Sequence, residues 1–406
     1  MSVFKKHKLK VKQLLEFIPE SLLANLSTTS NVDYYAKVLH GKKMFYLLMY
    51  GILENERLSQ RTLEDTFNDP VFKFLFNLDP SEKVRRSSIS ERLSKISPDY
   101  FKQIYECIYD QFSGLYAGSN AMQYNIVRVD SSIISEVSGK LEEGIKHSSG
   151  KKAVKYSIAF DGILPSYAKV FTASTYSSED IALPEVIRSH VKIEENHSNI
   201  YVVDRGVQSG KTMTDFQQNS IQFICRVKEN RKHIDIESYL QSGQKIDLGE
   251  SVLVKDSKVK IYTGAPINNK RGRVHHKEEL LETTLRLIVI ESKIEKGKQY
   301  WFLTNIFDLT AQEIAQAYRK RWDIEVFFRF IKQELNVSHL VSLNKNGIEV
   351  MLYMTLIIAM LILIYKHANA IGYKTAKRRF NMELRNLVIS LIVIECGGQP
   401  DRFFGP

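Results

Sequence analysis

Between Asn125 and Lys228 the chain alternates strand-like and helix-like stretches in an order that few folds accommodate. Ile126–Asp130 (IVRVD) is a β-branched run ending in an acid. Tyr156–Asp161 (YSIAFD) alternates with period two, Asp161–Pro165 (DGILP) carries turn residues, and Tyr167–Thr172 (YAKVFT) is strand-like again. A helix fits Leu183–Val191, with Pro184 in its first turn, where a missing N–H is tolerated. Asn199–Asp204 (NIYVVD) reads as a buried strand, a helix fits Thr212–Asn219, and Gln222–Lys228 (QFICRVK) is a further strand. Three strands, a helix, a strand, a helix and a strand imply a mixed sheet with helices on its faces. That is an α/β architecture in which functional groups sit where strands end.

The flanking regions differ in texture. Residues 1 to about 115 read as mostly helical, with Lys5, Lys6, Lys8, Lys10 and Lys12 crowding the start and a buried helix at Met44–Tyr50. Ser88 and Glu91 have capping-box spacing and would open a short helix with Arg85, Arg86 and Arg92 near its start. Arginines at a helix N-terminus suit phosphate contact. Residues 229–300 contain short alternating runs at Ser251–Val254, Val259–Tyr262 and Leu285–Ile290, read as a β-rich insertion. A basic loop, Lys270–Lys277, interrupts them with Arg271, Arg273, His275 and His276. Val350–Tyr365 is apolar over sixteen residues. A membrane span needs about 20, so a helix buried within a domain is expected. After it come Lys374, Lys377, Arg378 and Arg379, then an apolar helix at Leu387–Ile394.

Charge narrows the partner. Lys and Arg outnumber Asp and Glu by 57 to 46, a formal net charge of +11, which suits a polyanion such as nucleic acid. Cys107, Cys225 and Cys396 are scattered without CxxC or Cys/His spacing, which excludes a zinc ribbon or finger and suits a reducing cytoplasm. The basic N-terminus lacks the apolar core of a secretory signal.

Thr310–Leu335 (TAQEIAQAYRKRWDIEVFFRFIKQEL) reads as one helix opened by a Thr310/Glu313 capping box. At about 100° per residue, Tyr318, Arg321, Glu325 and Lys332 share a stripe, beside an apolar arc of Ile324, Phe327, Phe328, Ile331 and Leu335. Asp130, Asp204 and Glu325 thus come from three separate elements that can meet at one sheet edge. Three such carboxylates are suited to holding two Mg²⁺ ions about 4 Å apart, because Mg²⁺ prefers hard oxygen ligands. Asp161, also at a strand end, is a competitor for Asp130.

The spacing Tyr318-x2-Arg321-x3-Glu325-x6-Lys332 resembles the Y-R-E-K signature of DDE transposases of the insertion-sequence-4 family. YVVDRGV around Asp204 and VRVDSS around Asp130 resemble that family's acid motifs, and YWFLTN at Tyr300–Asn305 resembles the strand returning from its β insertion. The resemblance spans about residues 120–370. It implies a ribonuclease-H-like core interrupted by a β-rich insertion, with Asp130, Asp204 and Glu325 as the catalytic, metal-binding triad for Mg²⁺, Mn²⁺ substituting. It implies DNA contacts from Tyr318, Arg321 and Lys332, and a Trp301 that stacks on a flipped base. Arg205, Arg271, Arg273, Arg85 and Arg86 are further candidate DNA contacts.

The implied partners are transposon-end and target double-stranded DNA, with no membrane, and a homodimer in the DNA complex. The implied location is cytoplasmic and nucleoid-associated. Relatives with a long C-terminal dimerisation helix have more chain after Ile394. The expected divisions are 1–118 (helical, DNA-end binding), 119–228 and 301–370 (catalytic core), 229–300 (insertion) and 371–406 (helical tail). A catalytically silent DNA-binding protein is the rival reading.

Overall fold

The computed structural model describes residues 9–116, 124–135, 140–146, 151–194, 199–263, 279–295, 297–335, 337 and 340–400. The described chain opens with α1 (Val11–Glu16), α2 (Glu20–Thr29), α3 (Gly41–Glu54), α4 (Gln60–Asn68), α5 (Pro70–Leu75), α6 (Arg86–Lys95) and α7 (Pro98–Tyr116). Next come β1 (Asn125–Ser135), β2 (Ile145–Lys146), β3 (Lys152–Phe160), β4 (Pro165–Phe171), α8 (Glu179–Glu194), β5 (Asn199–Val203), α9 (Gly210–Gln218) and β6 (Gln222–Val227). Then follow β7 (His233–Ser238), β8 (Ile246–Asp247), β9 (Ser251–Tyr262), β10 (Leu280–Ser292) and β11 (Gln299–Thr304). Helices α10 (Ala311–Arg319), α11 (Trp322–Glu334), α12 (Lys345–Ala368) and α13 (Tyr373–Glu395) close the chain.

Two compact units form: Met1–Ala121 with Ile134–Val154 and Phe327–Pro406, and Met122–Ile133 with Lys155–Val326. The first is mostly helical and is built on α12. The Asn344 side chain accepts the Gly347 N–H at 2.9 Å and starts that helix, and every residue from Leu352 to Tyr365 is buried. Helices α1, α3, α6, α7 and α13 pack on it. α12 is long and apolar enough to cross a membrane, yet 89% of its most apolar window is buried inside the protein, as a core helix would be. α6 begins at Arg86, not at Ser88, and its N-cap, Arg85, makes no side-chain cap bond. The Ser88/Glu91 spacing is therefore inside the helix, and it is Arg85 whose carbonyl takes the Ser88 N–H, at 2.9 Å. Arg92 is not a surface cation: its guanidinium donates to the Leu39 and Val32 carbonyls at 2.8 and 2.5 Å.

The second unit holds most of an eleven-stranded sheet ordered β2-β3-β1-β5-β6-β11-β10-β9-β7, with β4 pairing β3 and β8 pairing β9. β1, β5 and β6 are parallel and β4 is antiparallel to β3. A β4-β3-β1-β5-β6 order with this parallel centre is a ribonuclease-H-like mixed sheet. β11 pairs antiparallel with β6, so the strands of the 229–300 region continue the same sheet. One face buries Leu183, Val186 and Ile187 of α8 and Met213 and Phe216 of α9 against Val127, Val129, Tyr201 and Val203. The other buries Ile314, Ala317 and Tyr318 of α10 against Ile126, Ile200, Val202 and Phe302.

Several element boundaries depart from the sequence reading. β1 runs five residues past Asp130; the polar Ser131 stays in the strand because its Oγ lies 2.6 Å from Ser157 Oγ on β3. α8 starts a turn before Leu183, leaving Pro184 inside the helix. The two runs at Ser251 and Val259 are one strand, β9, whose central Asp256 is paired with Arg286 on β10. Thr310–Leu335 is two helices. The Thr310/Glu313 capping box does open α10, but the chain breaks at Lys320. Buried Arg128 of β1 captures the Lys320 carbonyl at 3.0 Å and Asp323 Oδ2 at 3.0 Å, which ends one helix and fixes the start of the next.

Candidate active site

Arg321, in the break between α10 and α11, is the point through which the predicted residues meet. It is 8% exposed. One terminal nitrogen contacts Glu325 Oε1 and the other lies 3.9 Å from Asp130 Oδ2. Its charge also acts on Asp204. Asp204, directly after β5, accepts the Tyr318 hydroxyl proton at 2.9 Å and has Arg226 of β6 at 3.9 Å. The break thus puts Tyr318 on one helix, Glu325 on the next and Arg321 in the turn between them. The stripe expected from one continuous helix is assembled by tertiary packing instead.

The electrostatics of the two aspartates are opposite. Burial pushes Asp130 up to about 6, and Glu179 and Asp204 add to this, while the Ser131 N–H and Arg321 pull it back. Burial also opposes ionisation of Asp204, but the Arg205 N–H, Arg321, the Tyr318 hydroxyl and Arg226 outweigh it and hold that carboxyl below its usual range. Burial, reinforced by the Asp204 charge, raises the Tyr318 phenol, so it donates to Asp204 as a neutral group.

Asp161 does not compete with Asp130. Its Oδ1 accepts the Ile163 and Leu164 N–H groups at 2.7 Å each and closes the turn between β3 and β4. Gly162 is at φ +105°, and a Cβ there would lie 2.5 Å from the Arg128 guanidinium, so glycine is required on both counts.

The other predicted residues are distributed as follows. Trp301 is half-buried on β11, its Nε1 donating to Gln299 Oε1 at 3.1 Å and its ring edge-on to His233 at 5.8 Å. Arg205 is exposed beside Asp204, and Arg85 and Arg86 are exposed at the start of α6. Lys332 is half-buried two turns after Glu325 on α11. The apolar arc of Ile324, Phe327, Phe328, Ile331 and Leu335 is buried throughout. Arg271 and Arg273 lie outside the described residues.

Sequence reading passed over four groups that the fold brings to this region: Arg128, Lys155, Glu179 and Arg226. Three of them, Arg128, Lys155 and Arg226, are single cations inside apolar strand runs. That pattern is itself a signal, since a buried cation requires carboxylate or carbonyl partners.

The donor chemistry fits a hard divalent cation. All the candidate ligands are carboxylates, and burial, with Glu179 and Asp204 adding to it, disfavours the ionised form of Asp130, which such an ion would offset. Among the described residues no three His, Cys, Asp or Glu side chains close into a ready cage. The positive charge standing between Asp130 and Glu325 is Arg321.

Residues 122–361, more than half of the chain, match the family model described as a transposase DDE domain. A transposase of insertion sequence element IS4SA from Synechocystis is 30% identical over 173 residues, which is 42% of this chain and 42% of that protein. A transposase of insertion sequence element IS5377 from Geobacillus stearothermophilus is 27% identical over 153 residues, 38% of this chain and 36% of that protein. The matches therefore span about two fifths of these relatives. A cryo-EM structure of the piggyBac transposase synaptic complex with hairpin DNA has a TM-score of 0.42 at 11% identity, covering 93% of this chain and 78% of that one.

Proposed function

The chain belongs to the family of DDE transposase domains, and we propose that it is a cut-and-paste DNA transposase of the insertion-sequence-4 type, with Tyr318, Arg321, Glu325 and Lys332 as its Y-R-E-K signature. In this reading the protein binds the terminal inverted repeats of its element and cleaves their ends by phosphodiester hydrolysis. The freed 3′-hydroxyl then attacks the opposite strand to form a hairpin by transesterification, a second hydrolysis reopens the hairpin, and the regenerated 3′-hydroxyl is joined to target DNA. The observation that carries the reading is the placement of Arg321 against Asp130 and Glu325, with Tyr318 on Asp204, which gathers acids from three elements into one region.

Asp130, Asp204 and Glu325 would hold two Mg²⁺ ions, or Mn²⁺ in their place. Bound there, the ions supply activation of the attacking water or hydroxyl and charge balance for the leaving oxygen. The chain's own groups do the positioning. Arg321 has a fork of donors that matches phosphate as well as carboxylate, so it can hand its carboxylates over and take a DNA phosphate. The neutral Tyr318 hydroxyl fixes Asp204 by donating to it. Lys332 is assigned to the DNA strand near the cut, and Trp301 to stacking on a flipped base. Arg85, Arg86, Arg205, Arg271 and Arg273 are assigned to phosphate contacts along the duplex, whose affinity would fall with salt. The helical N-terminal region would bind the inverted repeats, two copies would act together on paired ends, and the protein would work at the nucleoid.

Glu325→Gln tests this reading. It is isosteric and should lower Mg²⁺-dependent cleavage of cognate ends by roughly 10³-fold or more while leaving DNA binding within about twofold. Cleavage at the wild-type rate would remove Glu325 from the mechanism, and the triad with it.

A further inference from the structure

The start of α8 lies against the acidic region, and the proposed mechanism does not use it. Asp180 accepts the backbone N–H groups of Gln208 and Ser209 at 2.6 and 2.8 Å, which clamps the helix onto the loop that follows Asp204. The clamp presses the neighbouring Glu179 onto Gly206. A Cβ on Gly206 would fall 2.8 Å from Glu179 Cβ and closer still to its Oε2, so glycine is what lets the carboxylate in.

Lys155 of β3 also acts on this carboxylate. It is 1% exposed, and its single hydrogen bond among the described residues is to the Ser177 carbonyl at 2.8 Å. The carboxylates that bear on its charge are Glu179 first and Asp130 second.

A glutamate in the first turn of a helix is ordinarily a dipole partner facing water. Here it is packed on the turn after Asp204, next to a buried lysine. The nearby Arg321 is itself nine-tenths buried, with its Nε unbonded among the described residues. A buried donor without a partner among the described residues, set in an acidic region, indicates a charge arranged for something more than its present contacts.

Resting on the transposase reading, we infer that Glu179 contributes a fourth carboxylate to this acidic site and shares in binding the divalent cations. Four carboxylates from Asp130, Asp204, Glu325 and Glu179 match the charge of two divalent ions, which would free Arg321 for phosphate.

Mn²⁺ binding to the full chain without DNA, read by electron paramagnetic resonance, tests this independently of activity. The comparison is between the wild type, Glu179→Gln and Asp130→Asn. Glu179→Gln should weaken Mn²⁺ binding by about tenfold or more, and should raise by a similar factor the Mn²⁺ concentration that half-saturates end cleavage. Wild-type Mn²⁺ affinity in folded Glu179→Gln, with Asp130→Asn weakened, would overturn the assignment of Glu179 alone. A wild type that binds no Mn²⁺ would overturn the metal site as a whole. Should Glu179→Gln not fold, Gly206→Ala keeps the glutamate but displaces its carboxylate. Wild-type affinity in that variant would likewise overturn the inference, and weakened affinity would support it.

Discussion

Two buried arginines in the sheet-bearing unit carry the same charge and are used in opposite ways. Arg286 on β10 makes a two-pronged pair with Asp256 on β9 at 2.8 and 2.7 Å and gives its third nitrogen to the Leu309 carbonyl at 2.5 Å. Both partners are less than one tenth exposed, and every guanidinium nitrogen is occupied. Arg321 is just as buried, but one nitrogen reaches Glu325, another lies 3.9 Å from Asp130, and Nε has no partner among the described residues. One charge is matched one-to-one and serves the fold. The other is spread over several acids and is left able to change partners. A saturated pair is costly to break and has nothing left to offer a ligand; a shared cation can move to a phosphate when something else neutralises the acids.

Removing one half of the saturated pair should have the largest effect on stability. Asp256→Ala strands the Arg286 charge in the sheet and should cost about 3–5 kcal/mol by denaturant unfolding. The fraction that remains folded should bind divalent cations as the wild type does. Loss of cation binding in that fraction would mean that the two arginines are not functionally separate.

The opposite sign is expected at the shared site. Asp130 is raised from an ordinary 3.8 to about 6, so its ionised form is disfavoured in the folded state. An acid raised in this way is most favourable to folding below pH 4, and that advantage is lost as pH rises through about 6. Asp130→Asn removes the penalty and should stabilise the metal-free protein by about 1–3 kcal/mol at pH 7 while abolishing cleavage. The difference in melting temperature from wild type should close as pH falls to 4. A variant less stable than wild type at pH 7, with the gap unchanged at pH 4, would show that the site carries no charge strain.

The smallest change is expected from Tyr318→Phe. It removes the hydroxyl from Asp204, whose side chain is 40% exposed, so water can take the phenol's place and the stability cost should be about 1 kcal/mol or less. Cleavage should fall more than stability does. Equal losses in both would make Tyr318 a packing residue only.

Much of the architecture was legible in residues close together in sequence. The alternation from Asn125 to Lys228, the Thr310/Glu313 cap and the apolar run of α12 are local signals, and each produced the element it implied. The strand-end position of Asp204 was legible for the same reason. What failed were boundaries set by distant partners. Nothing in Thr310–Leu335 marks a stop, because the group that breaks it is Arg128, nearly two hundred residues upstream. Nothing in VRVDSS shows that the strand continues, because Ser131 is satisfied by Ser157 on the neighbouring strand.

The candidate site divides along the same line. The sequence by itself determined the chemical kinds present, carboxylates at Asp130, Asp204 and Glu325 with a tyrosine and an arginine at fixed spacing, because residue type and short-range periodicity are written in the chain. Only the tertiary structure decided that Asp161 closes a turn, that Glu179 packs on the turn after Asp204, and that Arg321 is shared between Asp130 and Glu325. Those outcomes depend on which strands pair and on which charges burial then forces together, and no window of neighbouring residues contains that information.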